Sequence, residues 1–281
     1  MTEPIRSRKN ERLRWAARVV RDRRFRRREG VWAAEGVRLA EEVAGSGLPV
    51  RLWLLEEGWG AEPGRNRRLL EAVTERGDPV VRVARGLLRE AADTQTPQGV
   101  AVVFQAPRWA PEDLLARSGP LVVLDRLQDP GNLGTLARTA EATGAAGLVL
   151  VPGSADPGNP KALRASAGSL LRLPALTVPD AAGFLKAAGI QALATVPQGG
   201  AAPDELDLAG RFALLLGQEG GGLAPDLAGS AALRVTLPME GRVESLNVAA
   251  AAAMILYEAQ RQRRKALSPI SRSAPWPRSR P

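Results

Sequence analysis

Short apolar runs alternate with segments of helical periodicity through the first third of the chain. Between residues 31 and 105 the apolar runs are VWAA, VRLWLL, VVRV and GVAVVF, and the helical segments are GVRLAEEVAG and residues 66–76. This alternation predicts a small α/β domain over residues 31–105. Residues 106–119 contain two prolines and a Ser-Gly pair, which predicts a linker to a second domain.

Five apolar runs after Pro120 are short, continuous and rich in branched side chains. They are LVVL (121–124), LVLV (148–151), ALATV (192–196), ALLLG (213–217) and LRVTL (233–237). Helical patterns lie between and after them, at residues 132–143, 161–170, 180–188 and 246–264. Because continuous apolar strands are typical of sheets buried on both faces, residues 120–264 are predicted to form a parallel sheet covered by helices.

Basic residues are concentrated at the two ends of the chain. The 281 residues carry 39 Lys/Arg and 30 Asp/Glu, yet residues 1–30 have a net charge of +8, residues 261–281 of +7, and the remainder of −6. Local cation density releases counterions from a phosphate backbone, so this distribution favours a nucleic-acid partner. The alternative is a generally arginine-rich composition, which the ratio of 35 arginines to 4 lysines also fits.

The first 30 residues are predicted to form a basic amphipathic helix. In residues 10–25, Leu13, Ala16, Ala17 and Val20 share one helical face. The arginines around that face are the predicted RNA contacts, namely Arg12, Arg14, Arg18 and Arg21. Residues 265–281 are rich in Pro, Ser and Arg and are predicted to be a disordered basic tail.

Composition excludes several kinds of chemistry. The chain has no cysteine and no histidine, which rules out disulfides, Cys/His zinc sites, thiol nucleophiles, histidine bases and Ser-His-Asp triads. No run of 18 apolar residues occurs, and the basic N-terminus is not followed by an apolar segment, so neither a membrane span nor a secretory signal is expected. The expected compartment is the cytoplasm.

Three strand ends are each followed by a loop of small residues with polar side chains. The loops lie in DRLQDPGNLGTLARTAEATG (125–144), LLLGQEGGGLAPDL (214–227) and LPMEGRVESLNVAAAAAMILYE (237–258). In an open α/β sheet, such loops collect at the carboxyl edge of the strands. We therefore expect the three loops to form one site.

Local roles compete with functional ones in two of these loops. Asn132 is placed to cap a helix that starts at Leu133, and Ser245 and Asn247 stand where the last helix begins. Gly134, in the first turn of its helix, permits the close approach of another backbone. Capping and catalysis both remain open for the polar residues on this basis.

The remaining chemistry-bearing residues are also ambiguous when each is taken alone. Arg138 suits a structural salt bridge as well as a catalytic role. Glu219 and the three glycines at 220–222 suit either a ligand-binding loop or a flexible connection. The glycines do not follow a first strand with an acid about 20 residues later, which disfavours a dinucleotide-binding enzyme, and no Gly-Lys-Ser/Thr occurs.

The three motifs, in this order and at strand ends, resemble the signature motifs of the SpoU/TrmH family of RNA ribose 2′-O-methyltransferases. The resemblance covers residues 120–260 and is specific as a trio. It implies that the parallel-sheet domain contains a deep trefoil knot. Residues 31–104 are similar, more loosely, to the ribosomal-protein-like RNA-binding domain that often precedes it.

The resemblance also assigns roles to residues. It implies five catalytic residues, namely Asn132, Arg138, Glu219, Ser245 and Asn247. It implies that S-adenosylmethionine is held largely by backbone groups at Gly217, Leu237 and Leu246, with Thr195, Val196 and Met239 as further wall residues. Gln218 and Ala249 depart from the family, which commonly has Asn and Ser there; neither departure removes an implied catalytic group.

The implied reaction is attack of a ribose 2′-hydroxyl on the sulfonium methyl group, for which no metal is required. The family assigns activation of that hydroxyl to the arginine matching Arg138. Because arginine stays protonated in proteins, stabilisation of the developing oxyanion is favoured over general-base action. The resemblance implies a homodimer that acts on ribosomal RNA or tRNA. The separate first domain favours 23S ribosomal RNA, with tRNA as an alternative substrate and a non-catalytic RNA-binding protein as the alternative class.

Overall fold

The computed structural model describes residues 3–218, 220–242 and 245–267. The first part of the chain forms a four-stranded sheet in the order β1-β4-β2-β3, in which β4 runs antiparallel to both neighbours. Its strands are β1 (Val31–Glu35), β2 (Val50–Glu56), β3 (Val80–Val83) and β4 (Val100–Gln105). The helices of this part are α1 (Glu11–Arg21), α2 (Arg23–Glu29), α3 (Val37–Gly45) and α4 (Arg65–Glu75).

The basic helix predicted over residues 10–25 is two helices. Asp22 ends α1 with extended backbone geometry, and its carboxylate accepts a hydrogen bond of 2.9 Å from the Phe25 amide, which caps α2. The predicted apolar face is confirmed, because Leu13, Ala16 and Val20 are buried in a cluster with residues of the first sheet. Ala17 lies at the edge of that face and is half-buried.

The second part is a six-stranded sheet in the order β10-β8-β9-β5-β6-β7, and every pairing in it is parallel. Its strands are β5 (Leu121–Leu124), β6 (Gly147–Leu150), β7 (Ala175–Thr177), β8 (Gln191–Thr195), β9 (Phe212–Leu216) and β10 (Leu233–Val235). The predicted parallel sheet is confirmed. The edge strand β7 was not predicted from sequence, because it is short, only half-buried and lacks a continuous apolar run.

Helices cover both faces of the parallel sheet. They are α5 (Pro111–Leu115), α6 (Pro130–Ala142), α7 (Pro160–Ser166), α8 (Ser169–Arg172), α9 (Ala181–Ala187), α10 (Pro225–Gly229) and α11 (Val248–Leu267). The single helix predicted over 161–170 is divided into α7 and α8, because Ala167 and Gly168 have left-handed backbone angles with φ of 48° and 91°. In the described part of the chain, no helix has both the length and the apolar content needed to cross a membrane.

The start of α6 differs from the sequence prediction. Asp129, not Asn132, is the N-cap, and its carboxylate accepts a hydrogen bond of 2.8 Å from the Asn132 amide. The helix starts earlier because Pro130 suits the first helical position, where no N–H donor is needed. The prediction for Gly134 is confirmed: a Cβ there would lie 2.2 Å from the carbonyl oxygen of Ala162 on α7.

The two parts of the molecule pack against each other. One apolar cluster contains Trp53 and Phe104 from the first sheet together with Leu133 and Leu163 from α6 and α7. The segment predicted as a linker contains α5, in which Leu114 is fully buried. The predicted basic tail, apart from residues 265–267 at the end of α11, lies outside the described residues.

Candidate active site

A cavity of about 580 Å³ opens at the carboxyl ends of β8, β9 and β10. Loops from three separate parts of the chain meet there because these strands are parallel neighbours in the sheet. Apolar side chains such as Val196, Leu237 and Ile255 form much of its wall. Its volume is within the range of about 300–1,000 Å³ that is usual for small-molecule sites.

All six residues predicted to bind the cofactor line this cavity. They are Thr195, Val196, Gly217, Leu237, Met239 and Leu246. The Thr195 hydroxyl already donates a hydrogen bond of 2.8 Å to the Leu215 carbonyl. Lining residues that the sequence did not identify include Pro197, Leu216 and Ala251, which have no distinctive chemistry.

The glycine-rich loop closes tightly at the mouth of β9. The amide of Gln218 donates to the Gly222 carbonyl at 3.0 Å, and the Gly222 amide donates back to the Gln218 carbonyl at 2.9 Å. A Cβ at Gly217 would lie 2.3 Å from the Gly222 carbonyl carbon. Because this close approach is between backbone segments, only glycine fits at position 217 without displacing the loop.

The first and third motifs are joined by a direct hydrogen bond. The side-chain amide of Asn247 donates to the Asn132 side-chain oxygen at 3.1 Å. The Asn247 oxygen also accepts from the amides of Ala249 and Ala250 at 2.9 and 3.4 Å, so this residue caps α11 as well. Asn247 therefore caps α11 and joins the third motif to the first in one conformation, and its catalytic role stays a prediction.

Asp129 fixes the backbone position of Asn132 by accepting a hydrogen bond from its amide. Lys161 contacts the Asp129 carboxylate at 2.6 Å. This contact and the hydrogen bond from the Asn132 amide lower the pKa of Asp129 below its usual value. A carboxyl pKa lowered by folding adds stability at neutral pH, and that contribution is lost as the pH falls through the carboxyl range.

Arg138 lies on the exposed face of α6, next to Thr135 and Ala142 one turn away on either side. It is six residues after Asn132, which is about 9 Å along a helix axis. Its guanidinium group forms no hydrogen bond or ion pair with any other residue that the structure describes. The structural salt bridge that the sequence left open is thus absent from the described residues.

Two implied catalytic residues remain, Ser245 and Glu219. Ser245 is exposed and lines the cavity beside Asn247. Glu219 lies outside the described residues, so its implied contact with Arg138 stays a prediction. The structure therefore brings Asn132, Ser245 and Asn247 to one end of the cavity, with Arg138 on the outer surface of the adjoining helix.

A buried carboxylate that the sequence analysis did not single out connects two of the motifs. Asp125, at the end of β5, is 1% exposed and accepts a hydrogen bond of 2.6 Å from the Ala224 amide. The same carboxylate binds the Arg126 guanidinium at 2.9 and 3.2 Å. Arg126 has a φ of 54°, an uncommon conformation for a residue with a Cβ. Asp125 thus connects the segment after the glycine-rich loop to the carboxyl end of β5.

The four arginines predicted to bind RNA are all exposed on α1. Two of them have partners within the protein: Arg18 lies over the Phe25 ring at 4.3 Å, and Arg21 donates to the Glu90 carbonyl at 3.0 Å. Arg12 and Arg14 extend into solvent. Their contact with RNA stays a prediction.

Comparison with known proteins identifies the family. Residues 119–257 match the model of the SpoU rRNA Methylase family, and residues 10–102 match that of the MRM3-like substrate binding domain. A 23S rRNA (uridine(2479)-2′-O)-methyltransferase of Streptomyces viridochromogenes is 35% identical over 260 residues, which cover 89% of this chain and 88% of that protein. The chain belongs to the SpoU methyltransferase family.

Two further relatives are consistent with SpoU membership. The 23S rRNA (guanosine(2553)-2′-O)-methyltransferase RlmP of Bacillus subtilis is 40% identical over 167 residues, covering 59% of this chain and 66% of that protein. The crystal structure of the SpoU methyltransferase AviRb from Streptomyces viridochromogenes, in complex with the cofactor AdoMet, superposes with a TM-score of 0.80. That structure is 32% identical and covers 91% of this chain and 100% of its own.

Proposed function

We propose that this SpoU-family enzyme transfers the methyl group of S-adenosylmethionine to a ribose 2′-oxygen of 23S ribosomal RNA. The carrying observation is the cavity at the ends of β8, β9 and β10, in which all six predicted cofactor residues meet. Two relatives named as 23S rRNA 2′-O-methyltransferases support the choice of RNA. With ribosomal RNA as substrate, the proposed compartment is the cytoplasm. The trefoil knot that the family implies is part of the proposal.

The residues of the cavity fit an adenosyl cofactor. Leu237, Leu246 and Ile255 offer apolar walls to a purine and ribose, and the backbone at Gly217, where the glycine-rich loop begins, offers N–H and C=O groups. S-adenosylmethionine, when bound, supplies an electrophilic sulfonium methyl group. The protein therefore has to orient the ribose and stabilise its oxygen, and needs no metal for that purpose.

Arg138 is the group proposed to act on the ribose oxygen. Its guanidinium stays cationic, so it can hold a neighbouring RNA phosphate and stabilise negative charge that develops on the 2′-oxygen. The proton of the 2′-hydroxyl departs to a phosphate oxygen or to water, because a guanidinium that stays cationic cannot accept it. Asn132 and Asn247, joined by their 3.1 Å hydrogen bond, hold the start of α6 next to the third loop at the cavity. Glu219 is proposed to orient Arg138 or the loop beside it.

The exposed face of α11 supports a homodimer. Met254 and Tyr257 are 53% and 62% exposed and lie one turn apart on this helix, in line with Ala250. Leu246, just before the helix, is also exposed. α6, which carries Arg138, packs against α11, so a partner covering this face would also lie close to the proposed active site.

Sedimentation tests the dimer. We expect the wild-type protein to sediment with twice its chain mass of 29.8 kDa, and Tyr257→Glu, which places a charge in the proposed interface, to sediment as a single chain. Lys186→Glu, on the exposed surface of α9, is the matched control and should remain dimeric. An active wild-type monomer at assay concentrations would contradict the proposal.

Methyl transfer from tritiated S-adenosylmethionine tests the reaction and its substrate. We expect label in protein-free 23S rRNA and not in tRNA, at a ribose whose methylation blocks alkaline cleavage of the following phosphodiester. Label confined to tRNA would establish the alternative substrate. Absence of label from every RNA, with cofactor bound and RNA retained, would establish the non-catalytic alternative.

A further inference from the structure

Another cavity, of about 490 Å³, lies beside α2 at the carboxyl ends of β6 and β7. Its walls are the loop formed by residues 151–155 and the arginine side chains of α2. Those arginines are Arg23, Arg24 and Arg27. We call this feature the arginine cleft. None of the acidic residues in the described part of the chain lines it.

The cations of the arginine cleft are not neutralised inside the protein. Within the described residues, Arg24 and Arg27 form no side-chain hydrogen bond or ion pair, and Arg23 donates only to the Ser154 carbonyl, at 3.2 Å. The acidic residues nearest in sequence are engaged elsewhere, since Asp22 pairs with Arg18 and Glu29 with Arg28. Three guanidinium groups facing one cavity repel each other, and a bound anion removes that repulsion.

The arginine cleft is held in place by a buried ion pair. Arg26, on the same helix, is 4% exposed and donates to the Asp156 carboxylate at 2.7 and 3.2 Å. The loop on the other side is fixed as well, because the Ser154 hydroxyl donates to the Leu124 carbonyl at the end of β5 at 3.0 Å. Hydrogen bonds therefore join α2 to the loop after β6, and that loop to the sheet that carries the cofactor cavity.

The position of the arginine cleft relates it to the active site. Strand order places it beside β6 and β7, whereas the cofactor cavity is beside β10, β8 and β9. With neighbouring strands about 4.8 Å apart, the two cavities are separated by about 17 Å along one edge of the sheet. The end of β5, with the first motif, lies between them. A single RNA strand with its target ribose at the cofactor cavity can reach the cleft within a few nucleotides.

We infer that the arginine cleft binds backbone phosphates of the substrate RNA on one side of the methylated nucleotide. This inference rests on the proposed function for the identity of the RNA. Guanidinium groups suit phosphate because they form paired charge-assisted hydrogen bonds. The contact is independent of base sequence, so it positions the RNA strand rather than selecting the nucleotide.

The test compares Arg24→Gln/Arg27→Gln with a control variant of equal charge, Arg117→Gln/Lys186→Gln, whose residues lie near the amino ends of the strands. Binding of protein-free 23S rRNA is measured by filter retention from low to high KCl. We expect the cleft variant to bind about 10- to 100-fold more weakly, and the slope of log K against log[salt] to fall by about 1.4 to 1.8. The control should lose less than about threefold.

Two further measurements separate the explanations. Arg24→Lys/Arg27→Lys should recover most of the affinity, and S-adenosylmethionine should bind all variants equally, which shows that the fold is intact. Equal loss in the cleft and control variants, or an unchanged salt slope, would overturn the inference. If the wild-type protein binds RNA without methylating it, the proposed function fails while the salt slopes still decide for or against the cleft.

Discussion

Replacing Arg138 with alanine is expected to reduce methyl transfer at saturating substrate by about 100- to 1000-fold, the usual cost of removing one preorganised charge donor from an active site. Its guanidinium has no ion pair or hydrogen bond within the described residues, so its removal leaves no buried group among those residues unpaired. The melting temperature should therefore change little. Single-turnover rates, measured with excess enzyme, report this effect directly.

The controls for Arg138 separate catalysis from assembly. S-adenosylmethionine affinity, measured by calorimetry, should be unchanged, because Arg138 does not line the cofactor cavity. Arg138→Lys keeps the charge but loses the planar guanidinium with its paired N–H donors. It should therefore recover only part of the rate that Arg138→Ala loses. Thr135→Ala, one turn earlier on the same exposed face, should retain nearly full activity. Unchanged methylation by Arg138→Ala would remove this residue from the mechanism.

The position of the cofactor cavity was predictable from sequence, because it depends on which loops follow parallel strands. In a parallel sheet, residues that follow different strands meet at one edge, and Val196, Gly217 and Leu237 do so here. Small residues and polar side chains at three strand ends were therefore enough to predict that the loops meet at one site. The resemblance to the SpoU/TrmH family then specified which of these positions line it.

Features that depend on long-range partners were not predictable in this way. Asp125 follows a buried strand, but only the fold shows that its carboxylate binds the amide of Ala224, 99 residues later. The N-cap at Asp129 was missed because Asn132 is an equally good capping residue by type, and Pro130 decided between them. The arginine cleft was missed because helical periodicity alone treats α1 and α2 as one continuous helix.

Replacing Arg26 with alanine is expected to lower the free energy of unfolding by about 3–5 kcal/mol, since it leaves a buried carboxylate without its counter-charge. Asp156 is only 10% exposed, and the Val19 and Val20 carbonyls also lose their hydrogen bonds of 2.8 Å from the same guanidinium. Urea unfolding followed by circular dichroism measures the change. Arg28→Ala on the same helix, whose pair with Glu29 is exposed, should cost less than about 1 kcal/mol.

A double variant shows whether charge or packing dominates at this contact. Arg26→Met/Asp156→Asn removes both charges together, and Asn keeps an oxygen for the Gly158 amide, which now donates to Asp156 at 3.2 Å. Because no uncompensated charge remains, we expect the double variant to recover more than half of the lost stability. Equal destabilisation by the single and double variants would show that packing, rather than the ion pair, joins α2 to the parallel sheet.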